Sequence, residues 1–400
     1  MTLKATTDNI AAMAASKLTG ALPALDASAL TGIVAGPTTG ASDPTVSTNP
    51  SGAGAVYENT TTGQLFICTS ATAGDNLWLN VGTGDGQVAK PFGGLGGGTL
   101  NGYVYGGQLG PSPTTNFNTI EKFSFTSDGN ATDHGDLTRA TLHSAGASSA
   151  TDGYAMAGQG VPPVPQYNKL IDKFSFASNT TASSHGTLTA NRYGLTGFHT
   201  STHGYAAGGY GDGNPKTNII DKFAFASNTS GIDHGDLMVV SVYRSNNGAC
   251  SDTHGFMAGG VEGVASNLIE KFPFASNSGS VDSGQDLSLS KSQMSHVSST
   301  THGYAVGGYA SGTYVSKIDK WAFATSNNAT NVGDLVVAVH IAAGSSSTTH
   351  GYAAAGANHL VATAPLQLDN IQKFSLSSDA NGTDIGDLPT SRRYATGCHN

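Results

Sequence analysis

Over its last three quarters the chain repeats itself about every 50 residues. A Gly-aromatic pair recurs at Gly102-Tyr103, Gly153-Tyr154, Gly204-Tyr205, Gly255-Phe256, Gly303-Tyr304 and Gly351-Tyr352, at intervals of 51, 51, 51, 48 and 48 residues. Each pair opens a small apolar stretch ending in Gly, as in YVYGG, YAAGG and FMAGG. A variable loop leads to a second segment such as TIEKFSF, LIDKFSF or KIDKWAF. A third ends in Gly-Asp-Leu or a variant, and a fourth opens with a basic residue and often an aromatic, as at Arg192-Tyr193, Tyr243-Arg244 and Arg393-Tyr394.

Each unit therefore holds about four short strands, with no helical period. Asp221, Phe223 and Phe225 alternate with Ile220, Lys222 and Ala224. Both faces of such a strand carry apolar side chains, as a sheet packed on both sides requires. One four-stranded sheet cannot bury both faces alone, whereas six stacked around an axis give every sheet two neighbours. The expected fold is all-β, with a six-bladed propeller over residues 86–400. Composition agrees: Gly supplies 54 of 400 residues and charged residues only 11%, which excludes long solvated helices and charge-rich coil.

A net charge of −9 leaves no basic field for nucleic acid. No run of 18 apolar residues is present, so membrane insertion by a helix is not expected. The start, MTLKATTDNIAAMAASKL, lacks the charged head and apolar core of a secretory signal. Cys68, Cys250 and Cys398 lie too far apart in sequence to suggest a disulfide framework or a zinc site.

Ahead of the repeats, residues 1–43 are expected to be an N-terminal docking segment and linker, with 36–53 a loop rich in Gly, Pro, Ser and Thr. Residues 44–85 are expected to form a small β-module. GAVYENTTTGQLFICT makes a hairpin around residues 59–63, and NLWLNVG supplies a third strand. At the other end, Arg392-Arg393-Tyr394-Ala395-Thr396-Gly397 matches an opening strand with no unit after it (compare Arg192-Tyr193-Gly194-Leu195-Thr196-Gly197). Residues 391–400 are therefore expected to return to the first blade, although Pro91-Phe92-Gly93-Gly94 competes for that place.

The Gly-Gly strand, the later aromatic strand, the Gly-Asp-Leu turn and the basic opening residue together resemble the kelch family of β-propellers, over roughly residues 92–400. The kelch Trp before the closing strand is replaced here by His134, His185, His234 or a small residue. The segment KLTGALPALDASALTGI and the hairpin after it are similar to stretches in structural proteins of tailed, especially marine, bacteriophages, over roughly residues 13–82. That resemblance implies a virion protein on the particle surface, a tail or neck fibre or adhesin. It would join other virion proteins through residues 1–85, form a homo-oligomer on the particle and present the propeller to a host-surface glycan or protein. A capsid decoration protein and a polysaccharide-acting propeller enzyme are the alternatives.

Several repeated residues are candidates for chemistry. His203, His254, His302 and His350 each precede a Gly-aromatic pair, where four imidazoles would make a metal site only if they converged. Tight-turn hydrogen bonding is the expected role, and no metal or cofactor is expected. Lys122, Lys173, Lys222, Lys271, Lys320 and Lys373 occupy one place in every unit, after an acid in five of six, and are read as structural charge pairs. Asn-x-Ser/Thr sequons at Asn130, Asn179, Asn228, Asn328 and Asn381 fall in one turn, with another at Asn59, and reflect turn chemistry. No P-loop, dinucleotide fingerprint, nucleophile elbow or H-E-x-x-H is present, so no enzyme is expected. The copper oxidase of the kelch group needs a Cys–Tyr cross-link with Tyr and His ligands, and no pattern in the sequence sets these around Cys250 or Cys398.

Function on such a scaffold belongs to the loops after the Gly-Gly strands. Tyr167, Tyr210, Asp212, Asn214, Lys216, Tyr309, Tyr314 and His359 supply aromatic platforms beside amide and charged groups, a set suited to sugars or a protein surface.

Overall fold

The computed structural model describes residues 38–80, 98, 100–110, 115–160, 166–240, 246–261, 263–358 and 367–400. The docking segment before residue 38, Phe92 to Gly94, Tyr243, Arg244 and His359 lie outside these. The chain divides into two compact units, Met1–Val88 and Ala89–Asn400. Among the described residues there is no helix, and the protein is all-β, built of many small sheets.

In the first unit, Thr38–Gly40, Val56–Asn59, Leu65–Ser70 and Leu77–Asn80 form one sheet in that order. The hairpin turns where Asn59 Oδ1 accepts from the backbone N–H groups of Thr61 and Thr62, and Gly63 takes a φ of 72°. Tyr57, Phe66, Cys68 and Trp78 form its core. The loop expected at 36–53 contains a strand: Thr38–Gly40 pairs in parallel with Tyr57–Asn59. Gly40 makes this possible, because any side chain there would collide with the Tyr57 ring.

The second unit contains five four-stranded antiparallel sheets and one of six strands, each built mainly from one repeat. The third repeat is typical: Thr196–His199, His203–Ala207, Ile219–Ala224 and Ile232–Asp236 pair in sequence order. In the first repeat the inner strand is Thr396–His399 from the end of the chain, which pairs with Asn101–Tyr105. The pairing expected of residues 391–400 is therefore present.

Cross-strand register explains why the two aromatic motifs go together. Gly153 lies opposite Phe174, whose ring fills the space a side chain at 153 would need. The same register sets Gly102 against Phe123, Gly204 against Phe223 and Gly303 against Trp321. The aromatic after each glycine then packs on the next repeat: Tyr154 stacks on Phe225 at 4.6 Å, and Tyr205 lies 4.9 Å from Phe274. Tyr352 of the sixth repeat stacks on Phe125 of the first, at 4.6 Å.

Polar contacts between repeats are as regular. Buried His134, His185 and His234 set Nε2 against the carbonyls of Ser175, Ala224 and Pro273 in the following repeat, at 2.8 to 2.9 Å. In the fourth repeat Gln285 donates to the Ala322 carbonyl instead. Buried ion pairs join Arg139 to Asp172, Arg192 to Asp221, Lys291 to Asp319, and Arg392 to Glu121. Only the sixth repeat has an uncharged residue at the acid's place, Gln372, and it exchanges hydrogen bonds with the backbone of Val337. An uncharged amide suits a site facing backbone, where a lone buried charge would cost several kcal/mol, roughly 3–5.

Candidate functional site

The long strand Ser183–Tyr193 runs past its own sheet and takes on Tyr210–Gly211, with Tyr193 opposite Tyr210. On its other side Arg192 is paired with Asn168, next to Tyr167. Tyr193 consequently stands between the other two rings, stacked on Tyr167 at 4.7 Å and on Tyr210 at 5.1 Å. Its hydroxyl donates to Asn214 Oδ1 at 2.7 Å, and Asn191 donates to Asp212 Oδ2 at 2.9 Å. Lys216 donates to the Val261 carbonyl at 3.4 Å. Three of the expected site residues, Tyr167, Tyr210 and Asn214, thus meet one tyrosine, and Asp212 and Lys216 lie close by on the same turn.

Tyr309 and Tyr314 form a second group on the short hairpin of Tyr309–Ala310 and Thr313–Tyr314. Their rings lie 5.3 Å apart, and Tyr314 stacks on His340 at 4.3 Å. His143 links the groups, with its ring 5.9 Å from Tyr193 and 3.9 Å from Tyr394. The result is an aromatic arc running from Tyr167 and Tyr210 through Tyr193, His143 and Tyr394 toward Tyr314. His143 and Tyr394 adopt left-handed backbone, φ 54° and 61°, which is costly for residues with a side chain. Burial, with the Arg393 charge adding to it, pushes the His143 imidazole down to about 3. Partial burial and its neighbours Tyr309 and Tyr394 raise Tyr314, against the opposing pull of Arg393.

Sequence reasoning left Tyr193, His143, Tyr394, His340 and Arg393 out of the site. Arg192-Tyr193 and Arg393-Tyr394 were visible as an aromatic beside a basic residue opening a strand. Nothing in the spacing says that Arg192 and Arg392 turn inward to buried acids while Tyr193 and Tyr394 reach the loops.

The other candidates belong to the scaffold. His203, His254, His302 and His350 do not converge: each ring Nδ1 meets the hydroxyl of the preceding threonine at 2.7 to 2.8 Å. Among the described residues no three His, Cys, Asp or Glu side chains are grouped to hold a metal ion. Lys320 and Lys373 pair with Asp379 and Asp128 in the turn of the next repeat, and Lys222 lies 5.7 Å over the Tyr205 ring. Lys122, Lys173 and Lys271 make no ion pair among the described residues, and the buried ion pairs use the acid before the lysine, at Glu121, Asp172, Asp221 and Asp319. The sequon asparagines Asn130, Asn328 and Asn381 accept from the backbone N–H of Asp387, Asp286 and Asp334, tying each turn to the preceding repeat.

The inner strands of all six repeats line one cavity of about 30 Å³, with His199, His296, His399, Cys250 and Cys398 in its wall. Burial pushes His199 down to about 4 and His399 to about 3, so both are neutral near pH 7. The same desolvation pushes the Cys250 thiol up to about 12 and Cys398 higher still, so neither is a thiolate at that pH. Cys398 is paired across strands with Tyr103.

No protein-family model matches the chain, and a search of curated proteins finds no match. The class established by the structure is an all-β protein of repeated antiparallel sheets that carries an aromatic arc on its connecting segments.

Proposed function

We propose that the chain is a non-enzymatic virion protein of a tailed bacteriophage. In this reading residues 86–400 form a six-bladed kelch-like propeller that binds a host-surface glycan, and residues 1–85 join it to other virion proteins. The propeller reading draws support from the order of contacts: every repeat engages the next, the sixth engages the first through Tyr352, Arg392 and Thr396–His399, and all six inner strands border one cavity. The observation that carries the binding role is the aromatic arc, since stacked tyrosine faces beside amide and charged groups suit the C–H faces and hydroxyls of sugars. Its residues come from four repeats, so the site exists only in the assembled unit. The non-enzymatic reading is supported by where the buried acids are spent: Glu121, Asp172, Asp221 and Asp319 each hold a cation of a neighbouring repeat.

Two particle experiments test this. A chain lacking residues 1–85 is expected to stay soluble and folded but to be missing from particles. Particles carrying Tyr193→Ala are expected to adsorb to host cells several-fold more slowly. Assembly of the truncated chain overturns the docking role, and unchanged adsorption overturns the binding role. Release of sugar fragments from host envelope glycans by the purified chain overturns the non-enzymatic one.

A further inference from the structure

Arg393 stands apart from the other described arginines. Arg139, Arg192 and Arg392 are buried against Asp172, Asp221 and Glu121. Arg393 is only partly buried, and among the described residues no carboxylate pairs with it. Its backbone exchanges hydrogen bonds with Gln108, which fixes the main chain, and its guanidinium reaches Gln108 Oε1 at the outer limit of 3.4 Å. Its Nε is shielded from water with no hydrogen-bond acceptor. The guanidinium lies 4.9 Å over the Tyr394 ring, and its charge acts on both His143 and Tyr314.

Resting on the glycan reading above, we propose that Arg393, with Tyr394 and Tyr314, forms a subsite for the carboxylate of an acidic sugar. A planar guanidinium presents paired donors in the spacing of two carboxylate oxygens. Aromatic rings beside it provide faces for the pyranose ring, so one residue of an acidic glycan can be held by its charge and its apolar face together. His143 is neutral at physiological pH, so Arg393 is the positive charge beside Tyr394. One charge balances a monoanionic carboxylate, whereas a phosphate dianion calls for more. The chain as a whole carries a net charge of −9, so a local positive charge helps to set where an acidic sugar binds as well as how tightly.

The test is titration calorimetry of the full chain with an oligoglucuronate, with its carboxyl-reduced counterpart and with inorganic phosphate. The oligoglucuronate is expected to bind, weakening as salt rises. Carboxyl reduction or Arg393→Gln is expected to cost roughly tenfold or more in affinity, with Arg393→Lys recovering part of it. Phosphate is expected not to compete. Melting curves are expected to show that Arg393→Gln remains folded, as a partly exposed side chain outside the buried pairs should allow. Equal binding of the reduced sugar, unchanged binding by Arg393→Gln, or equal competition by phosphate overturns the subsite. Absence of binding by either sugar also overturns it. If Tyr193→Ala particles still lose adsorption in that case, display of a host-binding arc stands without the acidic-sugar subsite.

Discussion

Arg392 and Glu121, 271 positions apart in the chain, form a buried ion pair through Nη2 and Oε1. The Arg392 guanidinium also lies over the Phe117 ring at 4.4 Å and donates to the Gly106 carbonyl at 3.2 Å. Burial raises the Glu121 carboxyl and lowers the Arg392 guanidinium, while each partner opposes the shift of the other. The pair joins the last repeat to the first with the same chemistry that joins Arg192 to Asp221 between adjacent repeats.

Replacing one partner should therefore cost more than replacing both. Glu121→Gln strands a buried guanidinium and is expected to destabilise the chain by roughly 3–5 kcal/mol. Combining it with Arg392→Met should recover much of that loss, as the uncharged Gln372 contact already does between the fifth and sixth repeats. Urea denaturation of the two single variants and the double variant measures the coupling.

Gly153→Ala should drive a methyl group into the Phe174 ring, at an expected cost of roughly 1–3 kcal/mol. Phe174→Leu on its own loses packing against Tyr103 and Tyr105. The double variant should be less destabilised than the sum of the two, because the smaller side chain makes room for the methyl. Thermal melts of the three variants decide this.

Removing residues 396–400 should unfold the first sheet. Asn101–Tyr105 would lose its inner partner, and buried Tyr103 would lose Cys398 from its surroundings. Limited proteolysis is expected to cut the truncated chain between residues 98 and 140 under conditions that leave the full chain intact.

Stability should fall on mild acidification. His143, His199 and His399 have folded-state pKa values of about 3, 4 and 3, below the ordinary histidine value. The unfolded chain therefore binds more protons between about pH 6.5 and 4, so stability is fully present above that window and is lost as pH drops through it. Each histidine contributes a slope of roughly 1 kcal/mol per pH unit. The rings of His199 and His399 lie 5.7 Å apart, and the His199 charge adds to the burial that lowers His399. Urea midpoints from pH 7.5 to 4.5 should show this slope, and His199→Gln should flatten it.

The all-β class, the repeat and the return of the C-terminal strand were readable because each is a local or periodic pattern. A glycine before an aromatic and a Phe-x-Phe strand recur with fixed spacing, and residues 392–397 repeat the opening pattern of residues 192–197. The strand at Thr38–Gly40 was not readable, since three residues of a Gly/Thr loop become a strand only when Tyr57 lies beside them. The candidate site was legible by half. Tyr167, Tyr210, Tyr309 and Tyr314 stand out as aromatics in variable loops, but of the residues that connect them Tyr193 ends a long strand, and His143 and Tyr394 sit at bends with left-handed backbone.

From the sequence alone, residue periodicity determined which segments pair within a repeat, because strand register depends on neighbours a few positions away. Only the tertiary structure decided which side chains meet between repeats. Arg392 and Arg393 are adjacent and chemically identical, yet one is buried against Glu121 and the other lies among tyrosines without a carboxylate. Alternation along a strand sends neighbours to opposite sides. What waits on each side is set by chain hundreds of residues away.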